Sequence, residues 1–153
     1  MYGRMYTANF TTAVTAAQDL FEVNAPATGV VVIHRIFIGQ SSDAADAQAE
    51  MLNVTIARGG GTAGSGGTTV TGRPHNVGHA AFGGTVEANN TTESGTQTVM
   101  FSEAFNVQAG WFWVPTPEER IIVPPSGIFI AGLITVPGDS LSMVGSITFE
   151  EID

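Results

Sequence analysis

GVVVIHRIFIGQ, residues 29–40, runs nine residues between two glycines, and seven of the nine are Val, Ile or Phe. Residues branched at Cβ or carrying a ring suit a pleated surface, and the run is too short for a helix of this hydrophobicity. It is therefore read as the central strand of an all-β domain. Strict alternation assigns Val30, Val32, His34, Ile36 and Ile38 to one face and Val31, Ile33, Arg35 and Phe37 to the other. Both faces are then mostly apolar, which predicts that a second sheet or a neighbouring subunit covers them. His34 and Arg35 are the only polar interruptions.

The segments on either side repeat the period of two. Residues 4–13 alternate loosely, with Tyr6, Ala8 and Phe10 on one side, and a single helical turn is expected over 13–19 before a short strand at Leu20, Phe21 and Val23. Residues 51–58 set Leu52, Val54 and Ile56 against Asn53, Thr55 and Ala57, a strand with one wet face. Over 96–107 the set Val99, Phe101, Glu103, Phe105 and Val107 is read as a core face with Glu103 as its misfit. Residues 128–136 and 141–150 close the chain as two strands joined through Pro137-Gly-Asp139. About eight to ten strands with long irregular connections, and no helix beyond the turn at 13–19, favour a jelly-roll-like two-sheet β-sandwich over an up-and-down barrel. An immunoglobulin-type sandwich is the second choice, without its Cys-Trp-Cys hallmark.

Two connections stand out. QSSDAADAQ, residues 40–48, is small and polar and places Asp43 and Asp46 in an exposed link. GGGTAGSGG, residues 59–67, has six glycines in nine positions and opens a turn-rich stretch that extends to Gly84. Such a composition cannot hold a regular element alone, and a connection of this length is expected to be functional, mobile or packed on a partner. Within it Val70, Val77 and Phe82 are the apolar side chains offered to that partner. The whole chain of 153 residues fits one domain, 1–153.

Composition excludes several function classes. There is no cysteine, hence no disulfide, thiolate nucleophile or Cys-ligated metal. The formal charge is −9, and the basic residues are five scattered arginines with no lysine, which argues against nucleic acid and anionic membranes as partners. No apolar run approaches a membrane span, and MYGRMYTANF at the amino terminus has no secretory signal pattern, so a soluble protein is expected. Charged residues are only 12%, about half the usual share. Such a low charge density fits a surface covered by other chains, or one solvated by Thr, Ser and Asn.

Catalytic constellations fail on context. His75-Asn-Val-Gly-His79 puts two imidazoles on one side only if helical, which Pro74 and Gly78 oppose. The cupin pattern that would add Glu87 or Asp43 is missing. Ser65 lies in a glycine loop rather than on a strand-to-helix elbow, and that loop lacks the Gly-Lys-Ser/Thr of a phosphate cradle. The acidic doublets Glu118-Glu119 and Glu150-Glu151 point to opposite sides of an extended chain. No enzyme, cofactor or metal is expected. Trp111 and Trp113 in GWFWVP share one face and are read as core packing, a subunit-interface anchor or a platform for a sugar ring.

IGQSSDAADAQAEMLNVTIARG, FGGTVEANNTT and AGWFWVPTPEER together resemble a group of small virion proteins of tailed bacteriophages, several of them similar to capsid decoration (cement) proteins. The likeness spans roughly residues 30–150, and its motifs are structural. It implies a β-rich or jelly-roll subunit, often trimeric, that sits on the outer capsid surface and clamps neighbouring major capsid subunits. On that reading the partners are the major capsid protein and further copies of this chain, with Trp111, Trp113, Val70, Val77 and Phe82 as interface residues. The alternative is a glycan-binding module on a head fibre or tail.

Overall fold

A computed structural model describes residues 3–42 and 50–153, so the predicted link carrying Asp43 and Asp46 lies outside the described residues. The described residues form β1 (Arg4–Val14), β2 (Gln18–Asn24), β3 (Val30–Gln40), β4 (Met51–Arg58), β5 (Thr68–Val70) and β6 (Arg73–Pro74). They continue with β7 (Thr85–Asn90), β8 (Thr98–Asn106), β9 (Trp111–Trp113), a 3₁₀ turn at Pro117–Glu119, β10 (Ile121–Val123), β11 (Ile128–Leu133) and β12 (Leu141–Ile152). The helical turn expected over 13–19 is absent: β1 runs on to Val14 and β2 begins at Gln18. No described helix is long and apolar enough to cross a membrane.

Two sheets of antiparallel pairs result, one in the order β10-β3-β12-β1-β6 with β9 also on β3, the other β5-β7-β2-β11-β4-β8. The first half of the chain pairs with the second half in reverse order: β1 with β12, β2 with β11, β3 with β9 and β10, β4 with β8. Successive pairs fall in alternate sheets. A long antiparallel ribbon rolled in this way is a jelly roll, a two-sheet β-sandwich. Strands β5, β6 and β7 are inserted between β4 and β8 and widen both sheets at the edge away from β8, β9 and β10.

The central strand departs from strict alternation at one residue. Its pairing with β12 shifts between Thr148 and Phe149, so that Ile33 faces Phe149, Arg35 faces Thr148, and His34 is left over as a bulge. The extra residue inverts the phase. Val31 and Ile33 before it and Ile36 and Ile38 after it all enter the core, while Phe37 and Arg35 are exposed. The prediction that the core set is split between two apolar faces is thus corrected: one face is core, and the other carries Val32, Arg35 and Phe37. The displaced His34 ring meets Glu150 at 3.1 Å on that outer face.

The core lies between the sheets. Tyr6 stacks on Phe149 at 5.7 Å, Phe82 meets Phe149 edge-on at 4.8 Å, and Phe10 meets Phe21 at 5.0 Å. Such pairs add to the area term of burial. Phe82 and Val70, from the turn-rich stretch, join this cluster at its margin.

The glycine-rich segment is packed on its own domain. Residues 59–67 run beside residues 91–96 and cover the outer face of the second sheet: Ser65 and Thr92 exchange both backbone hydrogen bonds, and Gly59 N donates to Ile128 O. A Cβ on Gly60 would collide with the Thr96 carbonyl, and one on Gly64 would stand 2.8 Å from a Glu22 carboxylate oxygen. Glycine is used here because backbone lies directly on backbone. Val70 belongs to β5 and Phe82 to the core margin, whereas Val77 is fully exposed.

Candidate functional site

The most polar buried region lies under that glycine layer. Asp19 and Glu22 on β2 point away from the core yet are buried. Asp19 Oδ2 accepts from Ser94 N at 2.9 Å, and Oδ1 accepts from Gln97 Nε2 at 3.1 Å. Glu22 Oε2 accepts from Gly64 N at 2.8 Å, and Oε1 accepts from Asn24 Nδ2 at 2.9 Å. Glu87 stands opposite Glu22 on β7, and Asn90 Nδ2 donates to Glu87 at 3.0 Å. Burial pushes the Asp19 carboxyl up from the ordinary aspartate range, against the Ser94 and Gln97 hydrogen bonds that favour its charged form. Asp19 and Glu22 fasten the loop layer to the sheet, all four of their carboxylate oxygens accepting hydrogen bonds. Among the described residues no three His, Asp or Glu side chains gather as ligands for a metal ion.

Of the histidine pair, only His75 has a ring hydrogen bond among the described residues, and the His79 Nδ1 is buried without one. His75 Nε2 lies 2.8 Å from Thr7 Oγ1, the first link of a chain that continues through Thr148 Oγ1 to Arg35 Nε across the outer face of the first sheet. His79 sits in the turn that follows, its backbone N–H donating to Asn76 O.

Trp111 and Trp113 share a face, as alternation requires, and that face is the core: they are 5% and 7% exposed. Trp111 Nε1 donates to Glu103 Oε2 at 2.9 Å, which accounts for the acid on the inward side of β8: it lies at the rim and accepts the indole. Neither ring is open to a partner or a sugar, so the interface role expected of them is withdrawn. The residue between them is the one turned to solvent. Phe112 is 60% exposed and its ring meets that of Phe37 at 6.3 Å.

Around Phe112 the structure assembles a surface that spans both sheets. β9 and β10 lie end to end along β3, Trp111–Trp113 against residues 36–38 and Ile121–Val123 against residues 31–33. Pro115 and Pro117 interrupt them, since proline supplies no N–H for a ladder. Ile122, 63% exposed, pairs with Val32 on the outer face. It also borders a groove of about 320 Å³ shared with Met100 and Phe101 on β8, with Arg58, Glu118, Glu119 and Arg120 at its sides. The contact of Phe101 with Trp113, 6.2 Å between rings, joins the two sheet edges there. Among the described residues β8 pairs only with β4, and its other edge carries no strand.

Comparisons with family models, curated proteins and solved structures found no match.

The surface around Phe112 offers exposed apolar side chains, an unpaired strand edge and charges of both signs, the ingredients of a protein–protein contact. The sequence carried one signal for it: once both tryptophans are assigned to the core, period two turns Phe112 outward. Ile122 and Phe101 had none, because the first depends on a strand of three residues and the second on the join between sheets.

Proposed function

We propose that this chain is a virion structural protein that decorates the outer surface of a bacteriophage capsid and stabilises it by bridging major capsid subunits, without catalysis and as a homotrimer. The observation that carries this reading is the surface around Phe112 and Ile122. It sets apolar side chains on the outer face of one sheet beside the open edge strand of the other, in a chain of charge −9 with few surface charges to solvate it. The resemblance of three segments to phage decoration proteins points the same way. The jelly roll adds support at the level of fold alone, since that architecture recurs in viral capsid and lectin domains.

A clamp of this kind binds only the formed lattice, so its stabilisation follows mass action on the mature particle. Particles stripped of the protein should release DNA at a lower temperature while keeping the same shell geometry, and adding the protein back should restore the original temperature. Equal melting of stripped and complete particles, with loss of host adsorption instead, would contradict the proposal.

A further inference from the structure

At the edge away from that surface a cleft of about 390 Å³ opens where β1 and the turn after it face β5 and β7. Gln18, Asn89, Thr12, Thr68 and Thr91 supply polar side chains to it and Phe10 a ring, and no Asp, Glu, Lys, Arg or His lines it. Its polar wall is pre-set. Gln18 is only 4% exposed, and its Nε2 donates to Asn89 Oδ1 at 2.9 Å, which fixes the plane of the Asn89 amide. Asn89 holds a left-handed backbone, φ 61°, a conformation with a cost that surroundings must sustain. Gly66, at φ 85° against Thr91, leaves the opposite wall without a side chain.

We propose that this cleft binds a neutral, polyhydroxylated ligand, a sugar unit of a glycan. A carboxylate, phosphate or amine would give up its water here without meeting an opposite charge. A purely apolar ligand would leave the Gln18, Asn89 and threonine groups unpaired, which costs more than their hydrogen bonds contribute when made. Sugar hydroxyls donate and accept, and so do side-chain amides and threonine hydroxyls. The volume lies at the lower end of ordinary ligand sites, roughly 300–1,000 Å³. This inference is independent of the capsid reading and holds wherever the chain is mounted.

The test is an array of neutral and charged glycans probed with the purified chain, followed by saturation-transfer NMR titration of the hits. Neutral glycans should bind in preference to sialylated or sulfated ones. Asn89→Gly keeps the backbone conformation and removes the amide, and should weaken binding at least tenfold. Thr68→Val removes one hydroxyl with little change of shape and should weaken it several-fold. No neutral glycan bound, a preference for charged glycans, or undiminished binding by both cleft variants would overturn the proposal.

Discussion

Asp19 shows how one residue can hold structure at a cost. Its two oxygens pin Ser94 and Gln97, yet burial raises its pKa, so the folded state binds a proton there more readily than the unfolded chain does. A carboxyl raised on folding takes up protons relative to the unfolded chain, and its contribution to stability falls as pH rises from about 3.9 through the raised value. Asp19→Asn keeps an acceptor for Ser94, and the Gln97 amide can rotate to face the new NH₂. The variant should therefore gain on the parent as pH rises from 4 to 7. Urea unfolding of both proteins across that range checks it; a stability difference that is flat or declines with pH would contradict the assignment. The tryptophans make a related point about information. Period two was enough to place both on one face, but whether that face meets the core or a partner depends on a second sheet that local sequence does not display.

The elements were legible in proportion to how regular they are. Residues 29–40, 51–58 and 141–150 alternate or run apolar over a full strand, and all are strands. His34 defeats the reading of the central strand because a bulge is fixed by pairing with β12 and leaves no mark in the residue types. Residues 59–67 mislead for a different reason. Glycine-rich composition reads as costly to order, yet here the missing side chains are what allow backbone to pack on residues 91–96 and on the sheet. That predicts slow exchange in the isolated protein at the Ser65 and Thr92 amides, which bond each other's carbonyls. Hydrogen exchange followed by NMR should find both protected well beyond the His75–His79 turn; rates typical of open chain at Ser65 and Thr92 would remove the layer from the account.

For the whole molecule, the jelly roll puts the open edge strand, the broken strand β9–β10 and the exposed faces of Phe112 and Ile122 on one side, and the neutral cleft on the other. If the first side joins copies of the chain, Phe112→Ser with Ile122→Ser should lower the mass found by light scattering at micromolar concentration towards that of a monomer. Both side chains are exposed, so the substitutions should change unfolding free energy by only about 0.5 kcal/mol each. An unchanged mass would move the copy-to-copy contact elsewhere. The most direct test of the central claim is a cryo-EM reconstruction of the intact particle. The account predicts this jelly roll on the outside of the head shell, in contact with at least two major capsid subunits and with Phe112 and Ile122 buried at a contact. Density for it on the tail or a fibre instead, or on the shell with that face turned to solvent, would contradict the account.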